Sequence, residues 1–241
     1  MGSRTTLACT SRTTAVRPGI LSLGGPVTGL AIGGGDVYAT VLSRSGLSAR
    51  LMRSPVGRDD WVTLPAAGKV SDGLWVHGTD VFVESRDHAH LLVSHDRGDS
   101  FATYRAPAPA LGCVYDEMQP PVVWARCATG TESEVLRSTN DGRSFQPANG
   151  RPTQQMMLPN TAAFAAASGT VAVVAGQRLY RTNNAGASYD PVGPTGYLWQ
   201  YLGFTDSTHG AALAVPSTVS SGEELYYTTN AGLSYHPVRI G

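Results

Sequence analysis

Acidic side chains are the residues of this chain that could carry out hydrolytic chemistry. Asp116 and Glu117 stand together near the end of a predicted strand, and Asp72 and Asp206 occupy comparable places in other segments. A glycosidase needs two carboxyl groups about 5 to 10 Å apart, whereas neighbours on one strand point to opposite faces. Asp116 and Glu117 therefore cannot pair with each other, and solvated turn positions are the favoured explanation for all four residues.

Two imidazoles in a short segment raise the question of a metal site. His88-Ala89-His90 would place both rings on one side of an extended strand, a geometry that zinc can use. Two ligands do not complete a zinc site, and the spacing identifies no third. His95 falls in a polar turn and is expected to face solvent. We therefore predict no metal and, because there is no glycine-rich phosphate loop, no cofactor.

Aromatic side chains could stack on a sugar ring or anchor a protein partner. Several stand on predicted strands or on the loops that lead into them, although packing inside the protein would explain them equally well. Packing is the favoured explanation for Trp124, which has apolar neighbours, whereas Tyr197 and Trp199 follow a loop rich in Gly and Pro and are expected at the surface. The candidates for the ligand face are Trp75, Asp116, Tyr197, Trp199 and Tyr201.

An eight-residue pattern occurs four times and marks the structural units that must position these acidic, histidine and aromatic candidates. It has Ser or Thr first, Asp or Asn third, Gly fifth and an aromatic residue eighth. The copies are Ser94, Asp96, Gly98 and Phe101; Ser138, Asn140, Gly142 and Phe145; Thr182, Asn184, Gly186 and Tyr189; and Thr228, Asn230, Gly232 and Tyr235. A degenerate upstream copy keeps Ser54 and Trp61. First positions at 54, 94, 138, 182 and 228 give a period that indicates propeller blades or solenoid units.

Each copy predicts a hairpin turn. Its short polar side chains can bond nearby backbone amides, and Gly adopts backbone angles that other residues resist. Apolar residues precede each copy, as in Leu91-Leu92-Val93, and the aromatic residue restarts an apolar strand. Strand, turn and strand therefore follow one another in every repeat.

The octets resemble the Asp-box, or bacterial neuraminidase repeat, of sialidases, sortilin-like receptors, some glycoside hydrolases and photosystem assembly factors. The resemblance covers the chain from about residue 25 to the end. It implies a β-propeller in which each box joins the third and fourth strands of a blade, remote from the ligand face. It implies no single function, because one fold hosts many activities.

The resemblance also implies what a sialidase would need: an arginine cluster, an acid/base Asp and a Tyr/Glu nucleophile pair. The first arginine of that family stands in a Phe/Tyr-Arg-Ile-Pro motif ahead of the first box. The most similar string here, Tyr104-Arg105-Ala106-Pro107, follows the second box and lacks the Ile. We therefore assign no catalytic residue.

The predicted fold is all-β: a single β-propeller of five blades, or of six if the N-terminus forms a degenerate blade. Residues 1–25 are predicted to form a ring-closing strand or a partial blade, with strands at 5–11 and 13–17, and residues 26–241 form the Asp-box propeller. Strands of the first two blades are predicted at 27–32, 36–42, 49–53 and 61–64, and at 73–77, 80–85, 90–95 and 101–104.

The cysteines carry information about the compartment. Cys113 and Cys127 flank two strand-like runs of one repeat, so antiparallel pairing would bring them within disulfide reach; two buried thiols are the alternative. Cys9 faintly resembles the lipid-modified cysteine of bacterial lipoproteins, and a free thiol is the favoured alternative. The opening Met1-Gly2-Ser3 is typical of an expression tag, which is compatible with a native signal peptide having been removed.

Net charge and composition restrict the classes of partner that the chain is expected to bind. Eighteen basic residues balance eighteen acidic ones, so the chain has no electrostatic preference for nucleic acid or an anionic membrane. No apolar run approaches the roughly 20 residues of a transmembrane helix. Lys69 is the only lysine among the basic residues, a bias typical of GC-rich bacterial genomes. The expected location is secreted or in the cell envelope, periplasmic or lipid-anchored.

These observations predict a non-catalytic binding or scaffolding propeller, monomeric, that uses one face for a protein or glycan partner. The alternative is a carbohydrate-active enzyme on the same fold, sialidase-like or another glycoside hydrolase. A fragment of a larger multidomain protein is a third possibility left open by the unpatterned N-terminus.

Overall fold

The computed structural model describes residues 6–7, 19–20, 23–43, 45–46, 48–66, 70–107, 113–119, 121–128, 133–148, 163–176, 178–217 and 222–238. Over these residues the fold is all-β, with five four-stranded antiparallel sheets in a β-propeller arrangement, which confirms the predicted fold class. The described residues contain no helix that could span a membrane. The chain divides into two compact units, Met1–Ala106 and Pro107–Gly241. Cys9 lies outside the described residues.

The first unit contains a two-stranded ribbon and two blades. Strands β1 (Thr6–Leu7) and β2 (Gly19–Ile20) pair with each other. Blade 1 consists of β3 (Val27–Gly33), β4 (Asp36–Leu42), β5 (Ala49–Pro55) and β6 (Val62–Thr63). Blade 2 consists of β7 (Val70–His77), β8 (Asp80–Ser85), β9 (His90–Ser94) and β10 (Ala102–Arg105).

The second unit contains three blades built in the same way, each from four consecutive strands. Blade 3 consists of β11 (Cys113–Gln119), β12 (Val122–Ala128), β13 (Ser133–Ser138) and β14 (Gln146–Pro147). Blade 4 consists of β15 (Phe164–Ala166), β16 (Ala172–Ala175), β17 (Leu179–Thr182) and β18 (Asp190–Val192). Blade 5 consists of β19 (Tyr197–Phe204), β20 (Gly210–Pro216), β21 (Glu224–Thr228) and β22 (His236–Pro237).

Apolar packing between blade faces holds each unit together. In the first unit Tyr38 and Leu51 of blade 1 pack against Leu74 and Val83 of blade 2. In the second unit blade 4 is covered on both faces. One face packs against blade 3 through Trp124, Val135, Phe164 and Val174, and the other against blade 5 through Val173, Leu179, Trp199 and Leu202. Each such side chain contributes about 1.5 to 3 kcal/mol on full burial, so face-to-face packing is the main source of stability. The predicted burial of Trp124 is confirmed.

The repeated octets form the turns between the third and fourth strands of blades 2 to 5. In blade 4, Thr182 Oγ1 donates to Asn184 Oδ1 (3.0 Å) and accepts the buried Gly186 N–H (2.9 Å). Asn184 Oδ1 in turn accepts the Ser188 N–H at 2.9 Å. Equivalent bonds are made by Ser94, Asp96, Gly98 and Ser100; by Ser138, Asn140, Gly142 and Ser144; and by Thr228, Asn230, Gly232 and Ser234. In the degenerate copy of blade 1, Ser54 Oγ instead accepts the N–H of Asp60, the seventh residue, at 3.0 Å.

Glycine is required at the fifth position of the octet for two reasons. Gly186 has φ of +88°, a conformation that costs little only without a side chain. A Cβ added there would also come within 2.5 Å of the Ala148 Cβ in blade 3. The octet is therefore both a turn and a blade-to-blade contact.

Three arginines that directly precede an octet or its degenerate copy each bond the backbone of the next blade within their unit. Arg137 Nε donates to the Gly169 carbonyl of blade 4 at 2.9 Å, and Arg181 Nε donates to the Ala231 carbonyl of blade 5 at 2.8 Å. In the first unit Arg53 Nη1 donates to the Arg97 carbonyl at 2.6 Å. Hydrogen bonds from a charged donor are stronger than neutral ones, so these contacts fix the relative rotation of adjacent blades.

A disulfide lies within blade 3. Cys113 and Cys127 are directly opposite each other on β11 and β12, with Cα atoms 4.1 Å apart, and their sulfurs are bonded. The bond joins the first two strands of the blade. Both residues are buried.

Candidate functional site

The ligand-face residues expected from the sequence fall in both units. Trp75 lies on β7 of blade 2 and is half-buried. Asp116 lies within β11, where its Oδ2 accepts the Ala166 N–H of blade 4 at 2.8 Å. The expectation that Asp116 is a solvated turn residue is wrong, because this carboxylate links two blades. Whether either residue faces a ligand stays a prediction.

The other three candidates lie on β19 but on different faces of blade 5. Trp199 is only 5% exposed, and its ring centroid lies 5.2 Å from that of Tyr226 and 5.9 Å from that of Tyr235. Tyr197 is half-buried beside it, at 5.8 Å between ring centroids. The expectation that Trp199 lies at the surface is therefore wrong: its ring belongs to the core between blades 4 and 5.

A β-bulge explains why Tyr201 behaves differently from Trp199. On a regular strand, residues that are two positions apart lie on the same face. Between Trp199 and Tyr201, however, the register shifts, and Gln200 is the extra residue of the bulge. Tyr201 consequently pairs with Leu213 on the opposite face of the sheet and is 55% exposed. Its hydroxyl lies against Gly203, where an added Cβ would be 2.6 Å from that oxygen. The sheet thus holds the tyrosine in a defined position.

Strand pairing places a continuous apolar surface around Tyr201, which we call the open face of blade 5. Cross-strand pairs join Leu198 to Val215, Tyr201 to Leu213, Leu213 to Leu225, and Ala211 to Tyr227, and the Val238 N–H bonds the Leu225 carbonyl. Leu198, Tyr201 and Tyr227 are 59%, 55% and 44% exposed. A solvated sheet face normally carries polar side chains. The exposed residues of this face therefore have the composition of a packed sheet face.

A shallow depression indents the open face. Its volume is about 560 Å³, and it is lined by Leu213, Glu223, Glu224, Leu225, Pro237 and Val238. The Glu224 carboxylate accepts a hydrogen bond from the Tyr226 hydroxyl at 2.9 Å. By its register the Glu224 carboxylate lies with Tyr226 on the packed face of the blade. On the open face, Leu213, Leu225 and Val238 make the depression largely aliphatic, which suits an apolar side chain.

A second concavity lies on blade 2 in the first unit. It has a volume of about 450 Å³ and is lined by Ser85, Arg86, Asp87, His90, Leu92 and Thr103. Hydrogen bonds from the Ser85 hydroxyl and the Ala89 N–H lower the pKa of Asp87 to about 2, so this carboxylate is ionised at neutral pH. Among the described residues that line the concavity, Asp87 alone carries a carboxylate, and its lowered pKa makes it a poor proton donor.

The two histidines beside this concavity do not share an extended strand. His88 lies in the β8–β9 turn with φ of +54°, and His90 is the first residue of β9, so the expected zinc geometry is wrong. His88 Nδ1 lies 2.8 Å from Oε2 of the buried Glu84, and His90 Nδ1 lies 3.4 Å from Asp87 Oδ2. Among the residues that the structure describes, no group of three or more His, Cys, Asp or Glu could hold a metal ion.

Asp206 and His95 occupy turns, whereas Asp72 lies on β7 and Glu117 on β11, so the turn position expected for these two is wrong. Asp206 accepts the N–H groups of His209 and Thr208, both at 2.8 Å, and these bonds lower the pKa of its carboxyl group. This confirms the turn position expected for Asp206. His95 is exposed, as expected, but its Nδ1 also lies 3.0 Å from Asp80 Oδ1.

Comparison with known proteins supports the fold. No protein-family model and no curated protein matches the chain. Among solved structures, virginiamycin B lyase from Staphylococcus aureus is similar with a TM-score of 0.62 and 12% identity, over 98% of this chain and 78% of that protein. The GH74 xyloglucanase from Xanthomonas campestris has a TM-score of 0.59 and 17% identity, over 89% of this chain. This chain spans only 38% of the length of the xyloglucanase.

Two further similar structures are of YCF48, one of them with a bound peptide. YCF48 from Cyanidioschyzon merolae has a TM-score of 0.58 and 12% identity, over 93% of this chain and 74% of that protein. A further YCF48 structure is bound to D1 peptide and has a TM-score of 0.53. Identities this low show the fold alone, and the fold that all of these proteins share with this chain is the β-propeller.

Proposed function

We propose that this protein is a non-catalytic binding or scaffolding β-propeller of an extracytoplasmic bacterial compartment, and that it binds a protein partner through the open face of blade 5. The observation that carries the proposal is the exposure of Leu198, Tyr201 and Tyr227 together on one sheet face. Contiguous exposed apolar surface on a soluble protein is characteristic of interaction sites. The YCF48 structure bound to a peptide shows that a propeller of this kind can take a protein ligand.

The chemistry of the open face favours protein over glycan. Interface centres are enriched in aromatic residues and poor in charged ones, and here two tyrosines stand among aliphatic residues. A sugar site instead combines a stacking ring with several converging polar groups. The described neighbours paired with Tyr201 and Tyr227 across the sheet are Leu213, Ala211 and His236, which supply little such polarity.

Two further features support the compartment and the family. A disulfide such as Cys113–Cys127 persists in oxidising environments outside the cytoplasm. The octets repeat one hydrogen-bond pattern in four blades and lie between the third and fourth strands, as expected of Asp-boxes. We infer from these bonds that the octets are Asp-boxes.

The concavity of blade 2 is the observation that favours a carbohydrate-active enzyme instead. A glycosidase needs a carboxylic acid with a raised pKa and a second carboxylate. Asp87 has a lowered pKa, and the neighbouring Glu84 is buried against His88. Asp87 therefore does not supply the required proton donor, and the described lining of the concavity contains no second carboxylate.

A binding experiment with matched variants tests the proposal. The immobilised protein is compared with the variants Leu198→Asp, on the open face, and Leu233→Asp, which is 60% exposed in the octet turn of the same blade. The proposal predicts that proteins retained by the wild type are lost with Leu198→Asp and kept with Leu233→Asp. Equal retention by all three, or hydrolysis of glycosides in a parallel substrate panel, would contradict it.

A further inference from the structure

The concavity of blade 2 lies on one face of its sheet, and strand register brings the lining residues together. Val83 pairs with Leu92, and Leu92 pairs with Thr103, so these three side chains share a face. Because side chains alternate along a strand, Ser85 and His90 lie on this face as well. Leu92 is only 4% exposed, whereas Thr103 and His90 are exposed. The concavity therefore has an aliphatic floor and a polar rim.

The turn between β8 and β9 holds the rim in a defined conformation. Asp87 Oδ1 accepts the Ala89 N–H at 3.0 Å, and Ser85 Oγ accepts the His90 N–H at 2.9 Å. His88 has φ of +54°, and outside the octets it is the only non-glycine residue with a positive φ in the described part of the chain. Such strain is concentrated at functional sites. A rim that is already fixed also loses little freedom when a ligand binds.

The rim presents both signs of charge to the concavity. The lowered pKa of Asp87 keeps its carboxylate ionised at neutral pH. The Arg86 guanidinium, which is always charged, lines the same space and has no hydrogen-bond or ion-pair partner among the described residues. His90 Nδ1 lies 3.4 Å from Asp87 Oδ2, while its Nε2 and the Thr103 hydroxyl bond no described residue. These groups are therefore available to a ligand.

We propose that the concavity of blade 2 binds a small zwitterion, a free amino acid or a short peptide, whose carboxylate pairs with Arg86 and whose ammonium group pairs with Asp87. An apolar side chain of the ligand lies on Leu92. A purely anionic ligand would meet the Asp87 carboxylate, and a purely cationic one would meet Arg86, so the rim selects against both. This site goes beyond the proposed function, because it does not involve the open face of blade 5.

The size and polarity of the concavity agree with such a ligand. Its volume of about 450 Å³ falls within the roughly 300 to 1,000 Å³ of small-molecule sites. A neutral sugar would use neither of the two charges, and the described lining offers it no aromatic ring except the imidazole of His90. Ion pairs at exposed positions contribute little. We therefore expect a dissociation constant of about 0.1 to 10 mM.

An NMR titration of the full chain with a matched series of ligands tests the proposal. L-leucine carries both charges, N-acetyl-leucine lacks the ammonium group, and leucinamide lacks the carboxylate. Leucine is expected to shift the amide signals of blade 2, and each analogue to bind at least about fivefold more weakly. Leucyl-leucine separates a preference for short peptides from one for free amino acids, and glucose represents neutral sugars.

Two substitutions remove one charge each and keep the size of the side chain. Arg86→Gln and Asp87→Asn are both expected to weaken leucine binding at least about fivefold. Arg86→Gln should leave the binding of leucinamide unchanged, whereas Asp87→Asn should abolish it. The matched control Arg58→Gln, at an exposed position of blade 1, should bind leucine like the wild type. Circular dichroism and the thermal midpoint confirm that each variant is folded.

Three results would overturn the proposal. The first is a wild type that binds neither leucine nor leucyl-leucine up to about 50 mM. The second is binding of leucine that Arg86→Gln and Asp87→Asn leave unchanged, or that N-acetyl-leucine and leucinamide match. The third is binding of glucose without binding of a zwitterion. None of these results bears on the open face of blade 5, which the Leu198→Asp variant tests separately.

Discussion

Removal of a single hydroxyl from an octet should destabilise the protein measurably. Thr182 is 1% exposed, and its Oγ1 donates to Asn184 Oδ1 and accepts the N–H groups of Gly186 (2.9 Å) and Asn184 (3.3 Å). Thr182→Val keeps the shape and the methyl group but removes all three bonds. The Gly186 N–H is buried, so it is left without a partner.

The size of the expected loss in the free energy of unfolding follows from the buried Gly186 N–H. An unsatisfied buried N–H costs about 1 to 3 kcal/mol, and the other bonds add up to about 1 kcal/mol net. We expect Thr182→Val to lower the free energy of unfolding by about 2 kcal/mol. For a chain of this size that corresponds to a fall in melting temperature of about 4 to 8 °C.

Equilibrium urea denaturation, followed by tryptophan fluorescence, measures the effect. Thr182→Ser is the matched control, because it keeps the hydroxyl and loses only a methyl group. Thr228→Val repeats the change in blade 5, where the octet makes the same bonds at 3.0 Å. A Thr182→Val variant as stable as the wild type, or a Thr182→Ser variant that is less stable than Thr182→Val, would refute the role assigned to the hydroxyl.

Three other predictions test individual contacts. Tyr189→Phe should leave stability unchanged or raise it by about 1 kcal/mol in urea denaturation, because the buried Tyr189 hydroxyl has no hydrogen-bond partner among the described residues; a loss above that size would contradict this. Hydrogen bonds, foremost from the Ser100 hydroxyl, lower the pKa of Asp96 in the folded protein to about 2. The ionised carboxylate therefore stabilises the folded protein at pH values above the unfolded pKa of about 4, and this stabilisation is lost as the pH falls from about 4 to 2. Asp96→Asn, which copies the other octets, should flatten the dependence of stability on pH in that window, and an unchanged slope would refute the assignment. Replacement of both Cys113 and Cys127 by Ala should cost about 3 kcal/mol in non-reducing urea denaturation, as expected for a closed loop with a sequence separation of 14, and reduction of the wild type should reproduce the loss.

The parts of the fold that depend on local chemistry were predictable from the sequence. Strands β4 and β8 occupy Asp36–Leu42 and Asp80–Ser85, the ranges that alternation and turn residues predict. The octets also form turns between the third and fourth strands, because Ser/Thr, Asp/Asn and Gly determine a turn within eight residues. These features require no knowledge of the rest of the chain.

The parts that depend on a neighbouring strand or blade were not predictable in the same way. The bulge at Gln200 arises from pairing between β19 and β20, and it moves Tyr201 to the face opposite Trp199. Asp116 was expected at a solvated turn, but its carboxylate accepts a backbone N–H of blade 4. Arg137, which the sequence did not single out, donates to a backbone carbonyl of the same blade. His88 was expected on a strand, but the side chains of Ser85 and Asp87 bond into a turn that includes it.

One pattern in the sequence could have revealed the blade-to-blade arginines. Arg53, Arg137 and Arg181 each stand directly before the first residue of an octet or its degenerate copy. A residue repeated outside the turn in three of the five blades suggests a role that these three blades share. Its bonding partner, however, lies in the next repeat and becomes visible only in the structure.

Site-specific photo-crosslinking is the most direct test of binding through the open face of blade 5. A photoreactive amino acid is introduced in place of Tyr201 in one variant and in place of Leu233 in another, because both positions are exposed on the same blade. If the open face binds a protein partner, adducts to that protein are expected from position 201 and few from position 233. Equal adducts from both positions, or none from position 201, would contradict the assignment of the open face as the binding surface.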